Sequence, residues 1–213
     1  MSCFRFFRSM SSQAKVIAKA KSAAAGPGSG SGPGLGGFSL LNLKVGRFVR
    51  VEAHPNSDKM YVSQVQLAGD SVKQICSGLR EHIAPEFLEG KLCVVVDNMK
   101  KCKLRGEFSE AMVLCGEHAE PSGGETRVEL VSPEKESLEL VGRQVVIDAE
   151  AEDATERKIK PREWEAVSSC LQVDGSRGVV YMDEGKAKPL FVKVGDEKVR
   201  VTVATLPEGS NVR

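Results

Sequence analysis

The sequence predicts a mainly β protein: a five-stranded barrel with a short helix ahead of its fourth strand, an α/β extension behind the barrel, and a disordered arm in front. Three observations carry this. From Phe38 onward the chain consists of short β-branched and apolar runs separated by turn residues. Ahead of that point GPGSGSGPGLGG, Gly26 to Gly37, holds too few apolar side chains to order itself. Toward the end, KPREWEAVSSCLQV breaks the strand pattern with apolar residues at helical spacing. The boundaries that follow are 1–37 for the basic arm and linker, 38–147 for the barrel and 148–213 for the C-terminal extension.

Taken in order, the opening MSCFRFFRSMSSQAKVIAKAKSAAAG is rich in Arg, Ser and Ala and holds no acid. That composition is shared by amphipathic mitochondrial transit peptides and by short basic tails, and both readings stand. The G-x-G strings of the linker are interrupted by prolines and follow no strand, which argues against a nucleotide loop. KVGRFVRVEAHP sets Val45, Phe48 and Val51 among Arg47 and Arg50, as a strand with one solvated face does. YVSQVQLAGD and SVKQICSGL are two more alternating strands around a Gly69-Asp70 turn. APEFLEG is about one helical turn, opened by Pro85 and closed by Gly90.

KLCVVVDNM and the run ending in AMVLC are continuous apolar stretches, the mark of strands buried on both faces. Five strands with a short helix before the fourth is the order of the oligonucleotide-binding (OB) fold. Beyond them RVELVS and VGRQVVIDA read as strands, and an acidic run spans Glu150 to Glu156. KPREWEAVSSCLQV reads as a helix with Pro161 near its start and Trp164, Val167 and Leu171 on one face. PLFVKVGDEKVRVTVATL closes the chain as a β-hairpin around Gly195-Asp196.

Charge and cysteine usage narrow the function classes. The net charge of +1 conceals an asymmetry: no Asp or Glu precedes Glu52, while Lys and Arg recur from Arg5 to Arg50. Six cysteines form no C-x-x-C pair and lie away from the three histidines at any zinc-finger spacing, so no metal site is expected. The N-terminus has no uninterrupted apolar signal core, and the thiols read as reduced and intracellular. No stretch approaches the ~18 apolar residues of a membrane span. Motifs of the G-x-S-x-G, H-E-x-x-H and G-x-x-x-x-G-K-S/T kinds are missing, so neither catalytic residues nor a cofactor is expected.

The chemistry concentrates in DNMKKCKLRGEFSEAM, residues 97–112. Lys100, Lys101, Lys103 and Arg105 crowd the connection between two buried strands, and Gly106 permits a sharp bend there. A polyanion at that rim gains by neutralised phosphates and released counterions. A merely solvated charged loop is the competing reading of the same composition.

NMKKCKLRGEFSEAM, with HPNSDKMYV and ICSGL upstream, resembles the tRNA-binding domain family that includes endothelial monocyte-activating polypeptide II, the yeast tRNA-binding synthetase cofactor and the C-terminal module of human tyrosyl-tRNA synthetase. Asn98, Met99, Lys100, Lys103, Leu104, Arg105, Gly106, Ser109, Ala111 and Met112 stand at matching places. Lys101 replaces the usual Pro and Leu104 the usual Met, changes that leave the charge intact. The resemblance covers about residues 40 to 147 and continues more weakly to the end, where the Trp164 segment is similar to an extension that packs on the barrel.

The resemblance implies an OB-fold and a monomer, and the lack of a long apolar stretch separately implies no membrane span. The resemblance also implies a non-catalytic, in-trans cofactor that presents tRNA to one or more aminoacyl-tRNA synthetases in the cytoplasm. The mitochondrion is the alternative compartment, and a protein-interaction or cytokine-like signalling factor is the alternative function. Carried over residue by residue, Lys100, Lys103 and Arg105 are the expected phosphate contacts. Lys101 lies in the same cluster, and Lys59 follows His54-Pro55. Asn98 and Ser109 either hydrogen-bond the ligand or tie down the loop's own backbone. His54 is expected as a turn residue, Ala111 and Met112 as core, and Tyr61 as the one obvious aromatic stacker.

Overall fold

The computed structural model describes residues 35–120, 123–147 and 155–213. The transit-peptide or basic-tail segment, nearly all of the linker and most of the acidic run lie outside the described residues. The described chain begins with a helical turn, α1 (Leu35–Phe38), and passes into β1 (Leu43–Ala53). The Gly69-Asp70 turn joins β2 (Tyr61–Ala68) to β3 (Ser71–Ser77) as the sequence anticipates, with Gly69 at φ +47°. The short helix is a single 3-10 turn, Pro85–Phe87, after which Gly90 at φ +80° donates its N–H to the Phe48 carbonyl at 2.9 Å. β4 (Leu92–Val96) follows, then a small hairpin of β5 (Cys102–Leu104) and β6 (Glu107–Ser109), then β7 (Met112–Val113).

These strands order as β3-β2-β1-β4-β7, antiparallel throughout. The barrel closes where the chain just ahead of β7 meets β3. Glu110 N–H donates to Gln74 O at 2.9 Å, and Cys76 N–H donates to Ser109 Oγ at 3.0 Å.

The three-residue spacing of Val45, Phe48 and Val51 does not fit a flat strand, whose faces alternate every residue. The structure accommodates it by dividing β1 between two cores. Leu43 and Val45 face the extension, Phe48 faces the barrel interior, and a bulge between Phe48 and Arg50 returns Val51 to the interior while turning Val49 outward. β4 does the same without a bulge: Leu92, Val94 and Val96 join one core, Cys93 and Val95 the other. Its unbroken apolar run follows from being covered on both sides.

The extension is built onto the barrel rather than beside it. β8 (Cys115–His118) and β9 (Arg127–Leu130) leave the barrel and form one sheet with β12 (Leu171–Val173), β13 (Val179–Asp183), β14 (Lys186–Pro189) and β17 (Asn211–Val212). Cys115 and Arg213 exchange two backbone hydrogen bonds of 2.8 Å. A second sheet joins β10 (Ser132–Pro133) and β11 (Val145–Val146) to the C-terminal hairpin of β15 (Phe191–Val194) and β16 (Glu197–Thr202). Helix α2 (Pro161–Ser168) buries Trp164 and Val167 in the shared core, and Phe38 meets the edge of Tyr181 at 5.4 Å between centroids.

Several elements differ from the sequence reading: the charged connection after β4 holds the β5–β6 hairpin, and VGRQVVIDA, read as a strand, is one only over Val145–Val146. The helix ends at Ser168, because the hydroxyls of Ser168 and Ser169 fold back onto the Glu165 and Ala166 carbonyls and Leu171 is recruited into β12. The β13–β14 hairpin was not anticipated, since its Glu184-Gly185 turn lacks an Asn-Gly or Asp-Gly signal. Glu184 nevertheless takes φ +48° and Gly185 φ +79°.

Candidate nucleic-acid interface

The basic cluster is held on the β5–β6 hairpin, whose register pairs Lys103 with Phe108 and Leu104 with Glu107. Its two-residue turn is Arg105-Gly106, at φ +47° and φ +111°. Two successive positive φ values match the twist of a tight hairpin, and glycine carries the second without strain.

The loop after β1 clasps this turn. Asn56 N–H donates to His54 Nδ1 at 3.0 Å, which leaves His54 Nε2 to carry the proton and donate to the Leu104 carbonyl at 3.0 Å. Asn56 Nδ2 donates to the Arg105 carbonyl at 3.0 Å, and Arg105 Nη1 donates to the Asn56 carbonyl at 3.3 Å. His54 is buried as a turn anchor, and the rim is thereby preorganised.

Lys100, Lys101, Lys103 and Arg105 are all exposed. Among the described residues neither Lys100 nor Lys103 has a carboxylate partner, whereas Lys101 meets Glu110 at 3.1 Å and Lys59 meets Glu81 at 3.0 Å. The Lys101 hydrogen bond and then the Gln74 N–H hold the Glu110 carboxyl below its usual range. Deeper in, Asp97 accepts from Lys44 at 2.9 Å and from Lys73. Burial pushes the Asp97 carboxyl upward, but the two lysine hydrogen bonds outweigh it, and the group sits below its ordinary 3.8. Burial, aided by Glu107, raises the Cys76 thiol to about 11, and burial, aided by Glu117, raises Cys115 to about 12, so both stay protonated.

Two expected contacts are corrected. Asn98 is buried, with its side-chain oxygen accepting from Asn42 N–H at 3.0 Å and its amide donating to the Leu40 and Arg157 carbonyls at 2.8 Å each. Ser109 Oγ accepts from Cys76 N–H and donates to the Ala111 carbonyl at 3.0 Å. Both residues serve the backbone and present no surface to a ligand. Asn98 in particular ties the end of β4 to the segment leading into α2.

Tyr61, expected as a stacker, is 4% exposed and spends its hydroxyl on the Ile83 carbonyl at 3.1 Å. The aromatic that does face solvent here is Phe108, 49% exposed. The ammonium groups of Lys101 and Lys103 lie 4.8 and 5.4 Å from its ring centroid. Its signal in the sequence was the alternation within GEFSE, which turns Phe108 outward once Ser109 points in.

The family described as "Putative tRNA binding domain" matches residues 43–146. Among curated proteins, the chain is 31% identical over 172 residues to the cytoplasmic tyrosine-tRNA ligase of Danio rerio, covering 81% of this chain and 30% of that one. It is 30% identical over 156 residues to the aminoacyl tRNA synthase complex-interacting multifunctional protein 1 of Cricetulus griseus, covering 73% of this chain and 40% of that one. The chain therefore spans well under half the length of these relatives, and the similarity runs past the barrel into the extension. Among solved structures, the C-terminal domain of Plasmodium vivax p43 superposes with a TM-score of 0.67 at 24% identity, covering 83% of this chain and 98% of that one, a likeness of fold.

Proposed function

We propose, from the premise that residues 43–146 are a domain of the tRNA-binding family, that this protein binds tRNA through the β5–β6 hairpin and its neighbours. The observation that carries the reading is the hairpin itself. A rigid, clasped turn projects Lys103 and Arg105, beside exposed Lys100 and Lys101, from a barrel with no acidic partner for Lys100 or Lys103 among the described residues. Phosphates neutralised there release counterions, and contact with the backbone suits a folded RNA better than base-by-base reading. Lys59 supplies a weaker contact, since a ligand must compete with Glu81 for it.

The role is that of a carrier: the protein performs no chemistry, works as a monomer and raises the local concentration of tRNA for an aminoacyl-tRNA synthetase. The synthetase and synthetase-complex names among its relatives support that placement. The test is binding of labelled tRNA by anisotropy across a salt series, comparing wild type with a Lys100→Ala, Lys103→Ala, Arg105→Ala variant. Neutralising about four phosphates gives a slope of log affinity on log salt of roughly −3. Loss of affinity and a flattened slope in the folded variant support the site. Equal binding by both proteins moves the site elsewhere, and no binding by either removes the tRNA reading.

A further inference from the structure

We infer that Phe108 is a stacking platform for an unpaired nucleobase of the bound RNA, with Lys101 and Lys103 holding the phosphates on either side of that base. The inference rests on the RNA-binding reading and narrows its ligand to RNA with unpaired bases at the contact.

A large aromatic half exposed on a three-residue strand gains little from the core of its own chain. Its surroundings account for it better as a binding group. Lys103 is its direct cross-strand partner, and Lys101, two residues earlier, lies on the same face of the hairpin, so both ammonium groups rest over one ring and move aside onto phosphates when a base takes their place. Aromatic rings stack on any base, and flanking ammonium groups meet the phosphates that every base carries with it.

The strand that carries the ring is also fixed in place. The Phe108 carbonyl accepts from Gln74 Nε2 at 2.9 Å and from Cys76 Sγ at 3.5 Å, and the next residue, Ser109, is bonded to Cys76 N–H. The opposite end of the hairpin is clasped by His54 and Asn56. A platform held from both ends gives up little freedom on binding. A paired base cannot use the ring, because its faces are already stacked within the duplex.

The experiment compares wild type with Phe108→Ala, Phe108→Leu and Phe108→Trp on two probes, a single-stranded oligoadenylate of about eight nucleotides and a blunt RNA duplex. Phe108→Ala and Phe108→Leu are expected to weaken the single strand by roughly 5- to 150-fold, to leave the duplex nearly unchanged and to keep the salt slope. Phe108→Trp restores single-strand affinity, and its added emission, over the constant signal of buried Trp164, is quenched on saturation. Equal weakening on both probes, or unquenched Phe108→Trp emission at saturation, overturns the stacking while RNA binding stands. If wild type binds neither probe nor tRNA, the RNA reading itself fails and the platform with it.

Discussion

Lys101 divides its ammonium between Glu110 and the Phe108 ring, so one carboxylate sets how much positive charge the hairpin offers. Replacing Glu110→Gln keeps an oxygen for the Gln74 N–H while releasing Lys101. tRNA affinity should then rise about 2- to 5-fold at low salt and the salt slope steepen by roughly 0.7 to 0.9, read by anisotropy. Asp97 makes the complementary case for stability. Its folded-state pKa lies below 3.8, so its pairing with Lys44 and Lys73 stabilises fully above that value and is lost as pH falls through the folded value. Asp97→Asn should cost about 1–3 kcal/mol at pH 7 in urea denaturation. Variant and wild type should converge in stability once pH falls below the folded-state pKa of Asp97.

At the scale of the element, the β5–β6 turn separates charge from conformation. Arg105 occupies φ +47°, a region that glycine enters more easily, so Arg105→Gly should leave thermal stability equal or slightly higher while lowering tRNA affinity. Gly106 lies at φ +111°, where a side chain is strained, and a Cβ there would stand 3.2 Å from Asn56 Nδ2. Gly106→Ala should therefore cost about 1–3 kcal/mol and lower affinity with every charge still present. Calorimetry and binding run on the two variants distinguish a lost cation from a displaced hairpin. β1 shows the same dependence on local geometry: the charged and apolar residues of RFVRV mark a strand, but only the bulge decides which side chains enter the barrel.

For the whole molecule, the face of the barrel formed by Leu43, Val45, Leu92, Val94 and Val96 is covered by the extension, whose last strand also completes the partner set of β8. Ending the chain at residue 147 removes that cover. The truncated protein is expected to bind a hydrophobic dye and to self-associate in light scattering, whereas the full chain, if the proposed monomer is right, stays monodisperse and dye-silent. A monodisperse, dye-silent truncation would mean that the barrel re-forms its own surface. Because both cores share β1 and β4, damage to the extension should also reach the hairpin rim, through the Asn98 bonds to Leu40 and Arg157.

The succession of barrel strands with a short helix before the fourth, the two tight turns at Gly69-Asp70 and Gly195-Asp196, the buried character of KLCVVV and the basic cluster were all legible in the sequence. Each is a local matter of side-chain alternation, turn residues or charge density within a few positions. What needed the tertiary structure was the assignment of faces and partners. Asn98 and Ser109 carry polar groups that suit a ligand as well as a backbone, and only contacts with Leu40, Arg157 and Cys76, distant in sequence, settled which. Tyr61 and Phe108 are both aromatic residues on short strands; barrel closure buried one and exposed the other. Local propensity names the elements, but which side of a closed barrel a residue faces depends on register and bulges, and those are determined by packing across the whole chain.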